Sequence, residues 1–249
     1  MDVFREQFDL LHSSGLYSKC NKLLIYISLY DNNPTLDIKI EEYDPDGKFL
    51  IFKSEDNLKE VFALNDFRNH IEDESYMFYF HSKGVSYIPA DNVEDKTFTY
   101  KQSWRNILNF YTISKWKISL ELLKKYDVVG CFLTRWPVYH FSGNFWWANI
   151  NYVKDIPNCK NFYLAPEMFI GEHYNNNFIC LTTNLSSHVE IELHLNRTDE
   201  DILKNINTDT SNNDNFWNNP SADLKFYLGE QYKETKYWKD WRQNQPNLL

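Results

Sequence analysis

Glycine is scarce in this chain, seven in 249 residues, and no apolar run approaches the ~20 residues that a membrane-spanning helix needs. Membrane insertion is therefore not expected. The N-terminus, MDVFREQFDLL, lacks the basic start and apolar core of a signal peptide. Basic charge is also short: 26 Lys and Arg stand against 35 Asp and Glu, a net charge of -9, which argues against a general nucleic-acid binder. Cys20, Cys131, Cys159 and Cys180 are scattered and form no CxxC pair, so neither a metal ribbon nor a disulfide framework is indicated. Free thiols in a reducing compartment, a soluble protein in the cytoplasm, are the expectation. No internal repeat is present. What the chain has in quantity is aromatic residues, 17% of the total, which point to one packed α/β core rather than a disordered chain.

Taken in order, Asp2–Leu11 has helical spacing with Gly15 as its stop, and Leu23–Leu29 is a continuous apolar run of buried-strand length. Ile38–Tyr43 and Lys48–Phe52 read as extended segments flanking Asp44-Pro45-Asp46-Gly47. That tetrapeptide has a sufficient explanation as a turn, although paired carboxylates also suit a divalent cation. Leu58–Ile71 reads as a helix, and Tyr76–Phe80 as a buried strand running into His81-Ser82-Lys83-Gly84. Ligands gather beyond the C-terminal ends of strands in open α/β sheets, so these four residues are candidates for holding phosphate oxygens. Phe98–Lys125 is one long helix or two, with Trp104-Arg105 near its start offering a stacking ring and a fixed charge. Tyr152–Pro157 reads as a helical turn and Phe178–Leu181 as a short strand. Beyond Asn196 the composition turns polar and asparagine-rich, reading as a long loop. Leu224–Arg242 reads as a helix that packs on the body or against a second copy of the chain, a homodimer.

The stretch Asp127–Ala148 opens with a strand-like run, Val128–Leu133, and closes on His140-Phe141-Ser142-Gly143-Asn144-Phe145-Trp146-Trp147. Polar groups interleaved with large aromatics suit a sugar ring, which needs an apolar face and hydrogen bonds at its rim. The plainer alternative is a strand end whose tryptophans fill the core while His140 and Asn144 cap local backbone. Downstream, Glu167 in Ala165–Gly171 sits among apolar residues, where burial would suit it to take a proton; a carboxylate at a helix start after proline is the competing explanation.

The ordered set YFHSKG (79–84), Trp104-Arg105, YDVVGC (126–131), HFSGNFWWA (140–148) and EMFIG (167–171) resembles a family of glycosyltransferases of giant DNA viruses and some microbes, over roughly Phe4–His188. The resemblance implies a GT-A-like, Rossmann-like mixed sheet flanked by helices, in a single domain over 1–195, with 196–249 a polar loop and helical extension on the same domain. It also implies a nucleotide-sugar donor and a glycan or glycoprotein acceptor. On that reading His81, Ser82, Lys83, Gly84, Trp104 and Arg105 bind the donor. His140, Phe141, Ser142, Gly143, Asn144, Trp146 and Trp147 bind the acceptor and sugar, and Glu167 is the base of an inverting transfer. Many GT-A enzymes hold manganese or magnesium with an Asp-x-Asp after this strand. Here that pair is missing, and either Lys83 with Arg105 takes the ion's place or Asp91 or Asp95 supplies a ligand. The chain also starts with a helix where GT-A domains start with a nucleobase-contacting strand. A non-catalytic, glycan- or partner-binding relative is the alternative.

Overall fold

The computed structural model describes residues 3–28, 40–54, 60–71, 76–82, 96–134, 139–162, 164–173, 177–182 and 197–208. The first element is the expected helix, α1 (Val3–Ser13), which ends as Gly15 adopts φ 75, and one further turn, α2 (Leu16–Lys19), follows. The apolar run becomes β1 (Leu23–Ser28), which pairs in parallel with β2 (Phe49–Ser54). Parallel neighbours need a crossover, not a hairpin. The extended segment expected at Ile38–Tyr43 is accordingly a 3₁₀ turn over Ile40–Tyr43. It is held where His12 Nε2 donates to the Tyr43 carbonyl at 2.9 Å and the Tyr43 ring packs edge-on against Phe4 and Phe8.

Next come α3 (Glu60–Asp66), continued by a 3₁₀ turn at Phe67–His70, and β3 (Tyr76–Tyr79). The long helical stretch is two helices, α4 (Lys96–Asn109) and α5 (Trp116–Leu122), separated by a wide π turn over Phe110–Ser114 in which the Lys115 N–H donates to the Phe110 carbonyl. The central stretch supplies β4 (Val128–Gly130), β5 (Leu133–Thr134), β6 (His140–Phe141) and β7 (Trp146–Asn149). Then follow α6 (Ile150–Lys154), α7 (Ala165–Met168) with a 3₁₀ turn at Phe169–Gly171, and β8 (Phe178–Cys180).

Among the described strands the main sheet has the order β3-β7-β4-β8, with β7 antiparallel to β3 and β4, and β8 parallel to β4. Successive side chains of a strand point to opposite faces, and both faces are covered. Phe78, Trp147, Val129 and Ile179 join a core built with Phe8 and Leu11 of α1, Leu108 of α4 and Ile118 of α5. Tyr79, Trp146, Val128 and Cys180 join a second core with Val61 and Leu64 of α3, Val153 of α6 and Ala165 of α7. The fold is a mixed α/β sheet flanked by helices.

The polar region after Asn196 is not all loop: α8 spans Asp199–Thr208, and Ile202 and Ile206 join the first core. Thr198 and Asp201 make a reciprocal capping box, side chain to backbone in both directions at 3.2 and 3.0 Å. Two isoleucines one turn apart and a cap are enough to fix a helix in an otherwise polar sequence. The helix expected at 224–242 lies outside the described residues. Among those described, no helix is long and apolar enough to cross a membrane, and all four cysteines are free thiols.

Candidate functional site at the Phe141–Asn144 turn

β6 and β7 are joined by a tight turn, closed by the Asn144 N–H donating to the Phe141 carbonyl at 2.8 Å. Gly143 has φ 95 and Asn144 φ 56, consecutive left-handed residues of the two types that tolerate it best. Space is tight at Gly143 as well: a Cβ would lie 2.8 Å from Leu108 Cδ1, which would have to shift, and 3.4 Å from the Trp104 ring, so α4 lies directly against the turn.

Groups distant in sequence hold this turn. Glu167, in the first turn of α7, accepts the Gly143 N–H on Oε1 at 3.1 Å. His81, just past β3, donates from Nε2 to the Gly143 carbonyl at 3.0 Å. Glu60, which opens α3, accepts Asn144 Nδ2 on Oε2 at 2.9 Å and the Tyr79 hydroxyl on the same oxygen at 3.0 Å. Its Oε1 stands 3.6 Å from His81 Nδ1. Asn144 Oδ1 in turn accepts the Trp146 indole N–H at 2.9 Å. Burial, and after it the Glu60 charge, pushes the Tyr79 phenol well above its ordinary value, so it stays a donor.

A second set of polar groups backs the first. Gln7 Nε2 donates to the His81 carbonyl at 3.1 Å and lies 3.4 Å from Asn109 Oδ1, while Asn109 Nδ2 donates to Glu6 Oε1 at 3.3 Å. Arg105 donates to both Glu6 oxygens, at 3.1 and 3.5 Å. Buried polar groups are stable only when partnered, and here the partnering ties α1 and α4 to the end of β3.

Of the residues singled out by sequence, His81, Trp104, Gly143, Asn144 and Glu167 come together. Ser82 is exposed beside His81. Lys83 and Gly84, with Asp91 and Asp95, lie outside the described residues. Arg105 is a correction: only 2% exposed and paired with Glu6, it is a buried structural charge rather than a free cation for a diphosphate. Trp146 and Trp147 are corrections too. They are 0% and 5% exposed, on opposite faces of β7, with Trp146 stacked on Tyr79 at 5.1 Å and Trp147 on Phe78 at 4.7 Å. Neither ring offers a face to a sugar, because the strand period puts one in each core. Phe141 is likewise fully buried, its ring over Gly130, where a Cβ would meet it at 2.7 Å. His140 and Ser142 are buried beside it. The acceptor surface expected along 140–147 is thus a core strand and a turn, while the Trp104 and His81 rings of the cluster are partly exposed.

The Asp44–Gly47 segment is a turn: Asp44 accepts the Lys48 and Phe49 N–H groups at 2.7 and 2.8 Å and the Tyr17 hydroxyl at 2.7 Å. Among the described residues no three His, Cys, Asp or Glu side chains stand close enough to hold a metal ion. Sequence reasoning missed Glu60, Glu6, Gln7 and Asn109. For Glu60 a signal existed: it sits one residue before Val61 on the buried stripe of α3, so its carboxylate lies at the margin of the core.

The chain belongs to the family described as a domain of unknown function, DUF8361, whose model matches residues 1–192. No curated protein and no solved structure shows significant similarity to it.

Proposed function

We propose that this chain is a nucleotide-sugar-dependent glycosyltransferase acting on a glycan or glycoprotein acceptor, with inversion, in the cytoplasm. The observation that carries the reading is the bond from the Gly143 N–H to Glu167 Oε1 at 3.1 Å, which joins two sequence-distant motifs beside His81 at the carboxyl end of β3. That end is where open α/β sheets bind ligands. The partly exposed Trp104 ring against Gly143 supplies an apolar face for the donor. Ser82, and by sequence Lys83 and Gly84, take the diphosphate oxygens, with Lys83 rather than Arg105 as the compensating charge and no metal needed.

In this scheme Glu167 removes the proton of the acceptor hydroxyl as its oxygen bonds to the anomeric carbon. The bond from that carbon to the diphosphate breaks on the opposite face, and the nucleoside diphosphate leaves with the electron pair. A single base implies inversion, through an oxocarbenium-like transition state. The test is calorimetry and thermal shift with UDP, GDP, dTDP and their sugars, each with manganese and with chelator, since a ligand of the native state raises its stability. Saturable binding of one nucleotide is expected, and Glu167→Gln should keep it while losing about 10²–10⁴-fold in turnover. Full turnover in that variant removes Glu167 as the base. No nucleotide binding at millimolar concentration replaces the enzyme with a non-catalytic glycan- or partner-binding protein.

A further inference from the structure

One carboxylate of the site is announced by no motif. Glu60 Oε2 takes two hydrogen bonds, from Asn144 Nδ2 at 2.9 Å and Tyr79 Oη at 3.0 Å, and Oε1 faces His81 Nδ1 at 3.6 Å. An indole N–H only donates, so the Trp146 contact fixes Asn144 with its oxygen toward the tryptophan and its amide hydrogens toward Glu60. A carbonyl only accepts, so the Gly143 contact fixes the hydrogen of His81 on Nε2. Of the three groups at Glu60, Asn144 and His81 are therefore of fixed orientation, and both act on the peptide unit between Gly143 and Asn144. Asn144 continues the turn through its own backbone, and His81 holds the carbonyl of Gly143, whose N–H is held by Glu167.

We propose that Glu60 is the positioning residue of this site: it sets the Asn144 amide and, through it, the turn whose Gly143 N–H Glu167 accepts. Its consequence for catalysis rests on the glycosyltransferase reading; its consequence for the geometry does not. Glu60 is 32% exposed, yet three protein groups converge on its two oxygens, so its work is on its neighbours rather than on substrate. Glutamine at this position keeps one acceptor oxygen for Asn144 and Tyr79 but gives up the charge that strengthens both bonds. It is therefore a partial loss.

The experiment uses the full chain as Glu60→Ala and Glu60→Gln, with Asp66→Asn at the far end of α3 as the control for stability alone. The ¹H–¹⁵N spectrum reports the Trp146 indole and Gly143 amide cross-peaks, and nucleotide-sugar transfer reports kcat and donor KM. Glu60→Ala should move both cross-peaks and lower kcat by about 100-fold with donor KM within about twofold, the mark of misplaced rather than missing contacts. Glu60→Gln should leave the Trp146 peak nearer its wild-type position and recover part of kcat. Asp66→Asn should lower Tm and move neither peak. Unmoved Trp146 and Gly143 peaks in the Glu60 variants, or equal shifts in Asp66→Asn, overturn the proposal. If wild-type protein transfers from no nucleotide sugar, the glycosyltransferase reading falls and the cross-peaks alone decide the role of Glu60. If Glu60→Ala does not fold, Glu60→Gln carries the same readouts.

Discussion

Two turns of this molecule are bound by carboxylates and contain a left-handed glycine, and they are built in opposite ways. The Asp44–Gly47 turn is closed mainly from within, with the Tyr17 hydroxyl its one outside side-chain partner among the described residues: Asp44 binds the N–H groups of Lys48 and Phe49, and Gly47, at φ 67, has open space where a Cβ would go. The Phe141–Asn144 turn is held from without, by Glu167 of α7, His81 after β3 and Glu60 of α3, and its glycine is pressed against α4. A turn that satisfies most of its own backbone needs little from the fold. A turn whose backbone and side-chain groups are held by residues 24, 62 and 84 positions away exists only because the fold has assembled it, and such assembled polar clusters are where function is sought.

The largest effect expected is at the anchor of the second turn. Trp146→Ala removes a fully buried indole and the donor to Asn144, and should cost about 3–5 kcal/mol in denaturant unfolding. A cost under ~1 kcal/mol would mean that the ring is not core. Next comes a matched pair of glycine variants. Gly47→Ala should cost only the left-handed backbone, about 1–2 kcal/mol. Gly143→Ala should add the collision with Leu108, about 1–3 kcal/mol more. Equal costs would dissolve the contrast between the two turns. Smaller again, Asp44→Ala strips an acceptor from two backbone N–H groups and should cost about 1–3 kcal/mol without changing nucleotide binding.

The smallest effect is the acid response. Burial pushes Asp44 and Asp66 upward, but hydrogen bonds outweigh it and hold both below the usual carboxylate value. For Asp44 they come from Tyr17 and the Phe49 and Lys48 amides, for Asp66 from Asn69, Tyr26 and His70. A lowered folded-state value means that the unfolded chain binds more protons, so stability rises with pH through this window. The contribution is present above the unfolded value of about 3.9 and fades as pH falls through the folded values. Tm should drop below about pH 4, and Asp44→Asn should flatten that drop. An unchanged acid slope in that variant would separate Asp44 from the response.

Much of the framework was legible because single segments carry it. Leu23–Ser28, Tyr76–Tyr79 and Val128–Gly130 are strands, as their continuous apolar runs imply, since a sheet covered on both faces needs no alternation. The placement of β2 was legible and its pairing was not, because nothing local separates a parallel neighbour from a hairpin partner. Trp146 and Trp147 show the same limit: adjacency in sequence suggested one aromatic floor, and the strand period sends them to opposite cores. Among the partners of Gly143 and Asn144, His81 and Glu167 were legible only as motifs and Glu60 only as a carboxylate beside a helical stripe, because an assembled turn is defined by separations that sequence spacing does not encode.

The π turn at Phe110–Ser114 sets an azimuth. Ahead of it, Trp104 and Leu108 approach Gly143; after it, Trp116, Ile118 and Leu122 are buried in the core, and the turn between α4 and α5 lets both be met. The Thr112 carbonyl inside the turn accepts the Trp147 indole at 2.8 Å, which pins that azimuth to the sheet. Each residue advances a helix by about 100°, so deleting one from this turn would re-clock α5 against α4 by a little over a quarter of a revolution. The segment is therefore a gauge of fixed length, intolerant of insertion or deletion even where individual side chains can be exchanged.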